Sequence, residues 1–121
     1  MSVTVYMFII MEHDLPAAIE FYMKLGFTLK FHLKDQWAEM LADNIKIGLC
    51  YISQELPERR SGLVVQVENL VSFYETHKDT LSFIGEIKEK IHGMMVGVKD
   101  PGGNIVDLYQ PTPEKVTELI K

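Results

Sequence analysis

Cysteine is almost absent from this sequence of 121 residues, and its scarcity limits how the chain can be held together. The one cysteine, Cys50, excludes any disulfide within the chain. Because unpaired thiols are typical of reducing compartments, we expect a cytoplasmic protein. A chain of this length buries roughly two-thirds of its unfolded surface, so one hydrophobic core can stabilise it without crosslinks.

Long apolar runs and clusters of basic residues are also missing. The apolar run over 5–11 ends at Glu12, well short of the about 20 residues of a transmembrane helix. No basic region precedes this run, which argues against a signal peptide. The 12 Lys and Arg residues face 17 Asp and Glu residues, for a net charge of −5. Since an acidic surface repels phosphate backbones, we expect neither nucleic acid nor a membrane as a partner.

The first half of the sequence contains one predicted helix among predicted strands. Apolar residues over 3–11 predict a buried strand, and apolar residues then recur at helical spacing over 15–22. Asp14 is placed to cap that helix, and Gly26 to end it. Alternating runs over 27–52, separated by short polar turns such as Asp43-Asn44, predict antiparallel hairpins. The order is therefore β-α-β-β-β.

The second half repeats this order after a predicted loop over 53–61. Asp14-Leu15 recurs as Asn69-Leu70, and Asp43-Asn44-Ile45 recurs as Gly103-Asn104-Ile105. Two copies are too few for a solenoid, so we expect each to form its own sheet within one domain. We predict an α+β fold over 1–121, with one βαβββ module over 1–53, a second over 61–110, and a short C-terminal helix over 113–120.

Three segments resemble the vicinal oxygen chelate superfamily, which includes glyoxalases, bleomycin-resistance proteins, fosfomycin-resistance enzymes and extradiol dioxygenases. The segments are HDLPAAIEFYMKLGF (13–27), GLVVQVENL (62–70) and DPGGNIVDLYQ (100–110). The resemblance implies the glyoxalase/bleomycin-resistance fold, in which each module curves an open sheet around a cavity. It also implies a homodimer.

The same resemblance implies four metal-ligand positions, usually occupied by His or Glu. Carried onto this sequence, they fall at Met7, at Ile47 or Gly48, at Gly62, and at Asp107. Transition ions need three or four protein donors in fixed geometry, and a methionine thioether is a poor ligand for them. Asp107 is therefore the only ligand-position carboxylate that remains, and we expect neither a bound metal nor another cofactor.

Aromatic and polar residues on the predicted strands are the expected contacts of a small-molecule ligand, because binding pockets combine apolar walls with a few polar groups. For each aromatic residue, packing in the core is the alternative. No catalytic residue is identified. The predicted ligand-binding residues are Met7, Trp37, Glu39, Tyr51, His92, Asp107 and Tyr109.

These features favour a small-molecule-binding protein that sequesters its ligand without a metal, in the manner of an antibiotic-resistance protein of the bleomycin-binding type. One alternative is a metal-dependent lyase, isomerase or dioxygenase in which Asp107 combines with His92, Glu39 or a residue of a partner chain. A second alternative is a scaffold or regulatory dimer with a vestigial site.

Overall fold

The computed structural model describes residues 2–43 and 45–120, without the side chain of Leu119. Asn44, part of a predicted turn, lies outside the described residues. No helix in the described ranges is long and apolar enough to cross a membrane. In chain order the elements are β1 (Phe8–Glu12), α1 (Leu15–Lys24), β2 (Thr28–Leu33), β3 (Trp37–Ala42), β4 (Ile45–Tyr51), β5 (Arg59–Gln66), α2 (Leu70–His77), β6 (Ser82–Lys90), β7 (Gly93–Lys99), β8 (Asn104–Pro111) and α3 (Pro113–Leu119).

The strands form two four-stranded sheets of the same topology, ordered β1-β4-β3-β2 and β5-β8-β7-β6. In each sheet the first strand pairs in parallel with the last, and the other neighbours are antiparallel. Parallel pairing requires a crossover connection, which α1 and α2 supply. The α+β fold of two βαβββ modules and a short C-terminal helix is therefore confirmed. The chain divides into two compact units, 1–57 with 101–103, and 58–100 with 104–121.

In the first unit, α1 begins and ends at the residues that the sequence predicts. The Asp14 carboxylate accepts a hydrogen bond from the Ala17 amide at 3.1 Å, and Gly26 follows the helix with a φ of +107°. The helix covers one face of its sheet, and the core of this unit lies between them. The core side chains are those of Ile10, Leu15, Ala18, Ile19, Phe21, Tyr22, Ala38, Met40, Ile47 and Leu49.

The second unit is built in the same way around a shorter helix. Asn69 caps α2 by accepting a hydrogen bond from the Ser72 amide at 3.0 Å. Leu70, at the start of the helix, is fully buried, and the sheet residues Val96, Val98, Val106 and Leu108 are buried with it.

Two boundaries differ from the sequence prediction. The predicted strand over 3–11 begins only at Phe8, where pairing with β4 starts, and Val3 and Val5 are 91% and 86% exposed. The predicted loop over 53–61 ends early, because Arg59 pairs with Asn104 of β8. In both cases a partner strand distant in sequence decides where the strand begins, and local periodicity does not report such a partner.

Substitution of the two helix-capping residues tests the prediction that Asp14 and Asn69 stabilise their helices. Asp14→Ala removes the acceptor for a first-turn amide, so we expect the free energy of unfolding to fall by about 1 kcal/mol. Asn69→Ala should have a similar effect in the second unit, measured by urea unfolding. The control Asp79→Ala removes the same charge from an exposed turn that caps no helix, and it should change stability by less than about 0.5 kcal/mol. Equal effects of Asp14→Ala and Asp79→Ala would contradict the capping role.

Candidate functional site

The face of the first sheet that points away from α1 carries three of the predicted site residues. Residues that pair across neighbouring strands lie on the same face, and successive residues alternate between faces. Trp37 pairs with Cys50 and Glu39 pairs with Gly48, while their neighbours Ala38 and Leu49 are buried in the core. Trp37, Glu39 and Gly48 therefore share the open face.

Trp37 covers the position of Gly48, where the family resemblance places a metal-binding carboxylate. A Cβ atom added to Gly48 would collide with Cζ2 and Cη2 of the Trp37 indole ring, and it would lie 3.1 Å from the Met7 sulfur. Glycine is therefore required at this position to admit the indole. The structure brings together Met7 and Trp37, and the space of a metal ligand at position 48 is filled by their side chains.

Glu39 fixes the orientation of Trp37. Its carboxylate accepts a hydrogen bond from the Trp37 Nε1–H at 3.1 Å, and the residue is only 8% exposed. The Nζ atoms of Lys46 and Lys30 lie 3.8 Å and 3.9 Å from Glu39 Oε1, and Lys46 also stacks 3.9 Å from the centre of the Tyr6 ring. A buried carboxylate needs such partners to offset its lost hydration. Glu39 is thus engaged inside the module.

The open face of the second sheet contains a cavity of about 240 Å³. Gly97 provides part of its floor and pairs with both Ile84 and Asp107. The wall combines apolar side chains with charged ones of both signs. The lining residues are Arg60, Ile84, Glu86, Lys88, Lys90, Met95, Val96, Gly97 and Asp107.

Asp107, the retained ligand-position carboxylate, forms an ion pair with Arg60. Arg60 Nη1 donates to both carboxylate oxygens, at 3.0 Å and 3.2 Å. The Asp107 side chain is 19% exposed, compared with 69% for Arg60. Metal binding at Asp107 would have to compete with this charge-assisted contact.

A bulge in β5 places Arg60 beside Asp107. The pairing of β5 with β8 shifts between Arg60 and Val64, and Gly62 within the shift has a φ of +85°. The Ser61 hydroxyl donates to the Ile105 carbonyl at 2.8 Å and accepts from the Leu63 amide at 3.1 Å. Gly62, the other ligand position of this module, is therefore part of the backbone irregularity and has no donor side chain.

His92 and Tyr109 bind each other beside the cavity, without lining it. The Tyr109 hydroxyl donates to the His92 carbonyl oxygen at 2.8 Å, and the same hydroxyl lies 2.8 Å from His92 Nδ1. The Tyr109 hydroxyl therefore contacts both the ring and the backbone of His92. Tyr109 pairs with Met95, a cavity residue, so this pair borders the same face.

Tyr51, a predicted ligand-binding residue, lies on the other face of the first sheet. Cys50, not Tyr51, pairs with Trp37, and Tyr51 pairs with the fully buried Glu12 of β1. Strand alternation therefore places Tyr51 on the face opposite to Trp37. Tyr51 does not join the other predicted site residues of its module.

The residues at the four ligand positions do not fit a transition ion. Ile47 lies in the core, so Gly48 is the open-face residue of its pair, and it offers no donor atom. Met7 and Gly62 add no oxygen or imidazole ligand, and Asp107 is bound to Arg60. Among residues 2–43 and 45–120, no group of three or more His, Cys, Asp or Glu residues is arranged to hold a metal.

The charged residues that surround Asp107 are not among the predicted site residues. Arg60 lies in the predicted loop over 53–61, and Glu86 lies within a second shift in register, between Ile84 and Lys88, which Lys90 follows. Alternation of Glu86, Lys88 and Lys90 along the chain was a usable signal, because residues two apart share a face. The pairing of Arg60 with Ile105 had no such signal, because it joins distant segments.

Comparison with protein families matches residues 5–108 to the model of the Glyoxalase/Bleomycin resistance protein/Dioxygenase superfamily. A search of curated proteins found no match.

Solved structures with the same fold include proteins of several named functions. The bleomycin-binding protein of bleomycin-producing Streptomyces verticillus, complexed with copper(II)-bleomycin, is 17% identical, with a TM-score of 0.70 over 93% of this chain and 99% of its own. The fosfomycin resistance protein FosX of Listeria monocytogenes is 11% identical, with a TM-score of 0.79 over 98% and 99%. A glyoxalase/bleomycin resistance protein/dioxygenase from Nocardioides is 18% identical, with a TM-score of 0.69 over 91% and 86%. At these identities the likeness is one of fold.

The contact between Trp37 and Gly48 predicts an unusual sensitivity to one added methyl group. Gly48→Ala should lower the free energy of unfolding by about 1–3 kcal/mol, because the new Cβ must displace the indole from its bond to Glu39. The chain has a single tryptophan, so its fluorescence emission should shift at the same time.

Combining this change with Trp37→Leu gives the control. If the collision with the indole causes the loss, Gly48→Ala should cost much less stability in the Trp37→Leu background, as a double-mutant cycle measures. An equal cost in both backgrounds would show that the indole does not occupy this position.

Proposed function

Because this chain belongs to the glyoxalase/bleomycin resistance protein/dioxygenase superfamily, we propose that it binds a small organic molecule without a metal ion. The proposal is based on what lies at the two positions where the family resemblance places a metal-binding carboxylate. Gly48 is covered by Trp37, and Asp107 is paired with Arg60. Both positions therefore serve packing and charge pairing instead of chelation.

The cavity in the second module supports a binding role. It combines apolar surface from Ile84 and Met95 with five charged side chains, and polar groups that converge beside apolar surface can orient a bound small molecule. Sequestration of a toxic compound is the form of binding that we propose. It is consistent with the shared fold of a protein described as bleomycin-binding.

The enzyme alternative receives less support from the same contacts. It requires Asp107 to act around an ion with His92, with Glu39 or with a residue of a partner chain. The Nδ1 atom of His92 is bonded to Tyr109, and Glu39 is bonded to Trp37 and lies beside two lysines. Each group is engaged within its own module, so binding requires fewer rearrangements than catalysis.

The metal-independent mechanism is tested by elemental analysis and methyl NMR on the full chain. Protein purified without chelator should carry far less than one equivalent of Ni, Zn, Mn or Fe, because a single paired carboxylate binds these ions weakly. Methionine methyl signals then report ligand binding, with Met7 and Met95 on the two open faces. A panel of glycopeptide antibiotics, planar cations, thiol conjugates and organic anions should contain a compound that shifts one of these signals saturably.

The matched variants for this test are Asp107→Asn and Asp79→Asn. A stoichiometric ion that is lost with Asp107→Asn but kept with Asp79→Asn would favour the enzyme. The absence of saturable shifts with every compound in the panel would count against binding and favour a scaffold with a vestigial site.

We further propose that the protein is a homodimer in the cytoplasm. The free thiol of Cys50 is compatible with that location. Val3, Val5 and Tyr6 are apolar residues that are 91%, 86% and 72% exposed, and clustered exposed apolar side chains are typical of protein interfaces.

Light scattering after size-exclusion chromatography checks the homodimer. The wild-type protein should elute at twice the chain mass, and Val5→Asp should shift the population toward monomer, because it places a charge in an apolar contact. Val71→Asp, at an exposed apolar position of α2, should leave the mass unchanged. A monomeric wild type, or equal effects of both variants, would contradict an interface at the N-terminal segment.

A further inference from the structure

We propose that the cavity of the second module selects a small organic anion, whose apolar part lies on the cavity floor and whose negative group binds Arg60, Lys88 and Lys90. This inference rests on the proposed binding function and specifies the chemical class of the ligand. It concerns residues that lie together on one sheet and line one cavity.

The floor of the cavity is apolar and depends on Gly97. A Cβ atom at Gly97 would lie 3.1 Å from Ile105 Cγ2 and 3.4 Å from Ile84 Cβ. The missing side chain therefore lets Ile84 and Ile105 pack close to the backbone in the middle of the sheet, where Gly97 pairs with Ile84 and Asp107. Met95 extends the apolar surface along β7. An aromatic or aliphatic group can bury its surface there.

The rim of the cavity is cationic, although the whole chain is acidic. Three basic residues line it, together with Glu86 and Asp107. Lys88 pairs with Met95 in the sheet, and Lys90 follows it by two positions along β6, which places both on the cavity side. Neither lysine forms an ion pair with another described residue. Because the charge of Arg60 balances that of Asp107, the remaining charges of the rim are two positive lysines and one negative Glu86.

Arg60 can bind an anion without releasing Asp107. Both of its hydrogen bonds to that carboxylate use Nη1, so within the described part of the chain Nη2 and Nε make no hydrogen bond. Guanidinium and ammonium groups form strong charge-assisted hydrogen bonds with carboxylates and phosphates. Asp107 therefore positions the arginine, and this role accounts for an acidic residue in a site that binds anions.

The size of the cavity restricts the ligand further. Its volume of about 240 Å³ is below the roughly 300–1,000 Å³ of pockets that enclose drug-sized molecules. A single ring with a short acidic side chain is a suitable guest. Free carboxylates and phosphate monoesters both supply the required negative charge.

The test compares three probes of similar shape and different charge, together with two phosphates, on the full-length protein. The probes are 3-phenylpropionate, 3-phenylpropionamide, 3-phenylpropylamine, phenyl phosphate and inorganic phosphate, with binding followed through the methyl signals of Ile84 and Met95. The two aromatic anions should bind more tightly than the amide, and the amine should bind most weakly. Added salt should weaken the binding of the anions. The aromatic anion that binds more tightly shows whether the site prefers a carboxylate or a phosphate group.

Charge-matched variants assign the binding to the rim. Lys88→Gln and Lys90→Gln should each raise the Kd of the anionic probes by about two- to five-fold, as loss of a partly exposed charge pair predicts, and the double variant by about ten-fold. Arg60→Gln should also weaken binding. The control Lys115→Gln removes a lysine of α3 that does not line the cavity, and it should leave the Kd unchanged.

Three outcomes would overturn the inference. The first is that the amide or the amine binds as tightly as the anions. The second is that Lys115→Gln weakens binding as much as Lys88→Gln, and the third is that no aromatic probe shifts the methyl signals of Ile84 and Met95. If inorganic phosphate binds as tightly as phenyl phosphate, the apolar floor does not contribute to binding, and this too would contradict the inference. If the aromatic anions do not bind in this cavity but a panel compound binds without a metal near Met7, the proposed function is preserved and this ligand class is rejected.

Discussion

The ion pair between Arg60 and Asp107 occupies the only carboxylate at a predicted metal-ligand position, on the open face of the second sheet. A carboxylate at this strand position can serve as a metal ligand, but here both of its oxygens accept hydrogen bonds from one guanidinium nitrogen. The bulge around Gly62 makes this contact possible, because it shifts β5 and brings Arg60 into register with Ile105. A local change in backbone pairing thus gives a ligand-position residue a different chemical partner.

The two modules repeat one topology but use their open faces differently. In the first module, Trp37 covers Gly48 and is oriented by a buried Glu39, so the space near the ligand position is filled by protein atoms. In the second module, Gly97 admits the side chains of Ile84 and Ile105 close to the backbone, and a cavity lies over this part of the sheet. Glycine therefore has the same local effect at both sites, because it allows a neighbouring side chain to approach the sheet. The two faces differ in what lies above the glycine.

The sequence was sufficient to predict the features that depend on local chemistry. Helix capping by Asp14 and Asn69, the stop at Gly26 and the two repeats of strands all follow from nearby residue types. It was insufficient where distant segments decide the outcome. Arg60 reaches Asp107 across 47 residues of chain, and the face on which Tyr51 lies depends on its pairing with Glu12. Of the predicted site residues, Met7, Trp37 and Glu39 meet on one face, and Asp107, His92 and Tyr109 lie on or beside another.

A titration of isotopically labelled protein with Co²⁺ tests the central claim most directly, because a bound paramagnetic ion broadens and shifts the signals of nearby nuclei. The account predicts that one equivalent of Co²⁺ leaves the amide signals of Met7, Gly48, Gly62 and Asp107 unchanged. Saturation at one equivalent, with selective broadening around Asp107 that disappears in Asp107→Asn, would contradict it.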